Sequence, residues 1–168
     1  MKDSPSTPGE TPVDTHHLRV ALVVSTYHEL VTGALRDGAV AALAHAGVDG
    51  ERITVIPVPG AFEIPFAARQ AAASGVFDAV VCLGCVIRGE TPHFDYIASA
   101  VAHGIMTASQ ATGVPMSFGV LTTNSREEAL ARAGPGADNK GWEAAMAAVQ
   151  LAGIMRGLAP PPSSEPGE

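Results

Sequence analysis

The sequence predicts an α/β protein whose parallel sheet is covered by helices on both faces. Two observations carry that reading. Short buried-strand runs alternate with stretches of helical periodicity along the body of the chain, residues 18–155. Apolar residues make up 46% of the 168 but aromatics only 5%, with alanine supplying much of the apolar count. Such a composition suits closely packed helices rather than an aromatic-rich core.

RVALVVS (residues 19–25) is the first strand run. Residues 29–46 then place Leu30, Ala34, Gly38, Ala42 and Ala46 at helical spacing and end at Gly47, a natural helix stop. ITVIPV (residues 53–58) is the second strand, broken by Pro59-Gly60, and helix returns over residues 64–74. AVVCLG (residues 79–84) is the third strand, followed by the loop RGETPH and a helix over residues 94–111. MSFGVLT (residues 116–122) is the fourth strand, after which Asn124 or Ser125 can cap a helix running to Ala133. Glycine-rich GPGADNKG separates it from a last helix over residues 142–155. Residues 1–17 and 157–168 are rich in Pro, Ser, Thr and acids without apolar periodicity, so they read as flexible ends around one domain at 18–156. Right-handed crossovers follow almost by default.

Several function classes fall away on composition. Ten Lys+Arg against 17 Asp+Glu give a formal net charge of −7, the opposite of the basic footprint that nucleic-acid binding needs. No run approaches the roughly 20 apolar residues that span a bilayer. The first residues lack the apolar core of a signal peptide, so the expectation is a soluble cytoplasmic protein. Cys82 and Cys85 form a C-x-x-C pair, but inside a strand. Positions i and i+3 there lie roughly 10 Å apart, beyond the ~7 Å limit for a disulfide. No second pair completes a zinc site. Structural thiols are the expectation.

In such folds ligands gather outside the carboxyl ends of the strands, so the loops after each strand hold the chemistry. The first carries Tyr27 and His28, and the second Phe62 and Glu63. The third carries Arg88, Glu90, Thr91, His93 and Asp95. Aromatics, carboxylate and imidazole at one edge suit a flat polar ring with hydroxylated or phosphorylated appendages. Taken alone, Tyr27 and Phe62 could equally cover helix ends, and His28 could simply start a helix. Gly89 lets backbone approach an anion and Thr91 adds a hydroxyl, although no phosphate-loop or dinucleotide fingerprint is present. His93 is the best acid–base candidate because imidazole titrates near neutrality. No G-x-S-x-G nucleophile motif occurs. Arg132 could grip a phosphate with its planar fork or stand as a solvated helix-face cation.

Four colinear segments add a resemblance: VPGAFEIP (58–65), GCVIRGETPHFDY (84–96), FGVLTT (118–123) and NKG (139–141). Together they strongly resemble lumazine synthases, over about residues 19–156. The resemblance implies a flavodoxin-like three-layer sandwich with a four-stranded parallel sheet. It also implies a transferase of riboflavin biosynthesis. That reaction joins 5-amino-6-(D-ribitylamino)uracil to 3,4-dihydroxy-2-butanone 4-phosphate, giving 6,7-dimethyl-8-ribityllumazine, phosphate and water. By the same likeness Tyr27 stacks on the pyrimidine, while Ala61, Phe62 and Glu63 hold that substrate and its ribityl chain. The backbone at Cys85, Val86 and Ile87 reads the uracil edge, and Glu90 and Thr91 cradle the sugar phosphate. His93 matches the proton-transfer histidine. Phe118, Arg132 and Lys140 match positions contributed by the adjacent subunit, Arg132 at the phosphate and Phe118 over the ring. Tyr27 stands where phenylalanine or tryptophan is commoner.

No cofactor or metal is implied. The implied partners are the two small-molecule substrates, copies of the same chain, and association with riboflavin synthase. The assembly would be a pentamer, or a sixty-chain shell of pentamers, with sites shared between adjacent subunits. The short GPGADNKG turn favours the shell, and Pro135 departs from the residue usual in shell formers. Two rival classes share the fold: a flavin- or ligand-binding module without catalysis, and a shell protein that has lost activity.

Overall fold

The computed structural model describes residues 14–160. Its sheet has four strands, β1 (Val20–Ser25), β2 (Ile53–Val58), β3 (Ala79–Ile87) and β4 (Met116–Thr123). They lie in the order β2-β1-β3-β4, and every pairing is parallel. Five α-helices connect and cover them: α1 (Glu29–His45), α2 (Ile64–Ala73), α3 (His93–Thr112), α4 (Arg126–Arg132) and α5 (Lys140–Leu158). This is the expected three-layer, flavodoxin-like arrangement.

The pleat sorts β1 between two cores. Val20, Leu22 and Val24 face one cluster, which gathers Leu35 and Leu43 from α1 and Ala145, Ala148 and Ala152 from α5. Ala21 and Val23 face the other, with Ile64 from α2 and Val101 and Ile105 from α3. All six β1 residues are buried, so β1 is the hub. Small side chains on α1 (Ala39, Ala42) and α5 let those helices approach closely, as the alanine content predicts. Pro57 sits in β2, an edge strand, where its missing N–H costs no ladder bond.

Both cysteines are free and buried in the sheet, Cys82 toward one core and Cys85 toward the other. Burial pushes the Cys82 thiol up to about 12 and the Cys85 thiol up to about 11. Inert structural thiols result.

Boundaries differ from expectation most in three places. β3 runs on to Ile87, past Gly84, because residues 84–87 continue the ladder with Val120, Leu121, Thr122 and Thr123 of β4. Helix α5 starts at Lys140 and ends at Leu158. The flexible segments expected at the ends lie mostly outside the described residues, but residues 14–17 pack onto the body. Thr15 is buried and its hydroxyl donates to the Ala46 carbonyl, while Arg52 Nη1 donates to the His17 carbonyl at 3.2 Å. Packing therefore begins at about Thr15 rather than Leu18. No helix among the described residues is long and apolar enough to cross a membrane.

Candidate active site

Strand order decides where a ligand can sit. The chain leaves β1 toward β2 on one side, then crosses to β3 on the other, so the connections diverge above β1 and β3. That switch point opens a crevice at the carboxyl ends. A cavity of about 440 Å³ occupies it, lined by Tyr27, His28, Gly60, Ala61, Phe62, Glu63, Cys85, Val86, Ile87, His93 and Ile97. Eight residues expected at the site, Tyr27, Ala61, Phe62, Glu63, Cys85, Val86, Ile87 and His93, thus meet in one place. Tyr27 is 65% exposed and Phe62 61% exposed, so two aromatic faces stand open at the mouth.

The extension of β3 shapes the cavity floor. Its ladder to β1 ends where Val24 pairs with Leu83, whereas its ladder to β4 continues to Ile87. Along residues 85–87 β1 therefore offers no strand partner, and the backbone edge on that side is turned to the cavity. Unpaired peptide groups on a rigid strand can read the donor–acceptor pattern of a planar ring.

Above the floor, the first turn of α3 presents His93 with Pro92 as its N-cap. Glu90 and Thr91 lie exposed on the connecting loop and line neither this cavity nor the groove described below. They sit beside the N-terminus of a 20-residue helix, where free N–H groups attract anions.

His28 precedes α1, as a helix start would, yet it also lines this cavity. It is the one non-glycine residue among those described with positive φ, at φ 60 and ψ 53, a left-handed conformation that bulky side chains rarely adopt. Burial, and secondarily the Arg126 guanidinium, hold its imidazole below the ordinary 6.5. No pattern in the sequence signals that backbone strain.

Phe118, Arg132 and Lys140 are elsewhere. They line a groove of about 420 Å³ along the free edge of β4, with Ser117 to Thr122, Glu143, Ala144 and Ala147. No residue lines both. Phe118 pairs with Cys82, whereas the β3–β4 ladder ends five residues later with Ile87 opposite Thr123. At about 3.3 Å per residue, Phe118 lies roughly 17 Å below the rim that carries His93. It is 47% exposed on the edge strand. Arg132 Nη1 donates to the Glu128 carbonyl of its own helix at 3.0 Å, and Lys140 pairs with Glu143 at 2.8 Å. Neither cation reaches the cavity of its own chain.

Asn139, in the sequence one residue of a glycine-rich loop, ties together the helices that carry Arg132 and Lys140. Buried at 3% exposure, it caps α5, its Oδ1 accepting from the N–H groups of Gly141 (2.8 Å) and Trp142 (3.2 Å). The two hydrogens of its amide nitrogen are shared among the carbonyls of Ala34 (3.1 Å), Ala133 (3.1 Å) and Gly134 (2.9 Å). One side chain therefore locks α1, the end of α4 and the start of α5, and so sets Arg132 and Lys140 side by side. Gly38 and Gly141 make the room: an added methyl would overlap the Asn139 amide from the first and the Leu35 carbonyl from the second.

Comparison with known proteins agrees with the four motifs. A family model described as 6,7-dimethyl-8-ribityllumazine synthase matches residues 17–156. A relative of that name from Syntrophus aciditrophicus (strain SB) is 48% identical over 139 residues, covering 83% of this chain and 90% of the relative.

Proposed function

The chain belongs to the 6,7-dimethyl-8-ribityllumazine synthase family, and from that premise we propose how its residues divide the work. The enzyme is a transferase. It condenses 5-amino-6-(D-ribitylamino)uracil with 3,4-dihydroxy-2-butanone 4-phosphate, releasing 6,7-dimethyl-8-ribityllumazine, phosphate and water. In the crevice above β1 and β3, Tyr27 stacks on the pyrimidine and the backbone edge at Cys85, Val86 and Ile87 hydrogen-bonds its polar rim. Ala61, Phe62 and Glu63 hold the ribityl chain. Glu90 and Thr91, with the N-terminus of α3, receive the phosphate of the second substrate.

Catalysis on this reading is mostly positional. An amine and a ketone condense once held at reacting distance, and orientation alone can supply several kcal/mol of the barrier, up to about 7–11. His93 moves protons as the imine forms, phosphate departs and the ring closes. No electron transfer is involved, so the scheme requires no redox cofactor.

The site is completed by a second copy of the chain. The observation that carries this is the place of Phe118, far below the rim, in a groove with Arg132 and Lys140 that shares no residue with the crevice. A neighbour whose β4 edge meets the crevice would bring Phe118 over the ring and Arg132 to the phosphate. Such a contact is heterologous, and repeated with a rotation that closes it gives a ring. We take the ring to be a pentamer, and the short turn 134–139 to favour assembly of pentamers into a sixty-chain shell able to associate with riboflavin synthase. A cytoplasmic location fits these roles. The direct test mixes both substrates with the protein and follows the lumazine chromophore. Product formation above the uncatalysed rate supports the assignment, and a rate equal to the blank rejects it.

A further inference from the structure

Arg88 has no part in the scheme above, yet its side chain is among the most constrained at the rim. Nη1 and Nη2 donate to Asp95 Oδ2 and Oδ1 at 3.3 and 3.2 Å. Nε donates to Asn124 Oδ1 at 3.3 Å, and the guanidinium carbon lies 4.3 Å from the centroid of the Phe94 ring. Its backbone N–H donates to the Thr123 carbonyl at 2.9 Å, which fixes its base to the end of β4. The planar fork thus reaches across the loop of residues 89–92 and grips the two residues that follow His93. Asn124 in turn opens α4: its N–H donates to Glu128 Oε2 at 3.0 Å, and Ser125 Oγ accepts from the Glu128 N–H at 3.1 Å.

We infer that Arg88 is a positioning residue for the reaction. By clamping Phe94 and Asp95 it holds the first turn of α3, so that the His93 imidazole keeps its aim into the crevice. Through Asn124 it ties that turn to α4, which carries Arg132. This rests on His93 being the proton-transfer group.

Stability is a poor account of the arrangement. The Arg88–Asp95 pair is 46% and 60% exposed, and exposed pairs contribute little to folding. What a bidentate fork supplies is direction. A lysine keeps the charge and loses the fork.

The test compares wild type with Arg88→Lys, Arg88→Ala, Asp95→Asn and the Arg88→Ala/Asp95→Asn pair. His93→Ala is measured alongside. Turnover should fall about tenfold in Arg88→Ala and Asp95→Asn, in keeping with the cost of small misplacements. The double variant should be no slower than the worse single, because both remove one interaction. Arg88→Lys should recover only part of the rate. Pyrimidine KM should stay within about twofold and the melting temperature within a few degrees, since exposed pairs add little stability. Unchanged turnover in both single variants, with His93→Ala slow, overturns the clamp. Strictly multiplicative losses overturn it too. A His93→Ala enzyme as fast as wild type removes the reading beneath it, and the clamp falls with it.

Discussion

Asn139→Asp gives the sharpest test of how the phosphate arm is built. At an ordinary helix N-cap the two residues are close to interchangeable, because each offers an oxygen to the first free N–H groups. At this position they should not be. The Asn139 amide nitrogen faces three carbonyl oxygens, those of Ala34, Ala133 and Gly134. An aspartate there would keep the cap to Gly141 and Trp142 but turn a carboxylate oxygen, buried and without a donor, toward those carbonyls. A buried acceptor stripped of its donor costs about 1–3 kcal/mol, more where charge is involved. We therefore expect Asn139→Asp to lose about 3–5 kcal/mol. Asn139→Ala should lose a similar or smaller amount: the cap, worth ~1 kcal/mol, plus the orphaned carbonyls. For a chain of this size about 1 kcal/mol moves the midpoint by roughly 2–4 °C, so the aspartate variant should melt about 10 °C lower. Chemical and thermal unfolding, compared at one protein concentration because assembly shifts both, measure it. An Asn139→Asp protein within about 1 kcal/mol of wild type would refute the network as described.

Three further outcomes follow from the site. His93→Ala should slow turnover while pyrimidine affinity stays largely intact, because proximity remains; an unchanged turnover number would remove His93 from proton transfer. Arg132→Lys should weaken use of the sugar phosphate more than of the pyrimidine, since lysine lacks the planar fork; equal losses for both would mark a structural role. His28 adds a pH term. With its folded value below the ordinary 6.5, the unfolded chain takes up the proton first as pH falls. Stability should then decline from about pH 6.5 down through the lower folded value, with no such slope above it. His28→Asn, which tolerates left-handed backbone, should flatten that part of a stability-versus-pH curve; an identical slope in the variant would contradict the assignment.

The fold was readable because apolar runs of strand length alternate with helical spacing, which also placed the loops that hold the crevice. Where boundaries moved, tertiary packing was the cause. Gly84 looks like a strand end, but a Cβ there would stand 2.9 Å from Ile64 Cδ1; the glycine admits a side chain while the strand continues. Gly141 looks like loop, but it lies in the first turn of α5 under the Leu35 carbonyl. Tyr27, His28, Phe62, Glu63 and His93 could be singled out in advance because they follow the ends of consecutive strands, whereas Ala61, Cys85, Val86 and Ile87 were named only through the family resemblance. Separating them from Phe118, Arg132 and Lys140 on this chain's own surface required strand order and register, although the family resemblance alone assigns those three to a neighbour. The left-handed backbone of His28 and the Arg88 contact with Asn124, 36 residues away in sequence, left no local signal.

The central claim is that each site is made from two chains, and mixed assembly tests it directly. His93→Ala damages the crevice and Arg132→Ala the β4-edge groove. Each variant alone should be impaired, His93→Ala in turnover and Arg132→Ala in use of the sugar phosphate. When the two are unfolded together in equal amounts and refolded, a ring with shared sites gives each crevice an even chance of an intact His93 and, independently, of an intact Arg132 from its neighbour. About a quarter of the sites should then be whole, and activity should rise toward a quarter of wild type. If both residues served the crevice of their own chain, every site would carry one lesion, and a mixture no more active than the mean of the two variants would contradict the account.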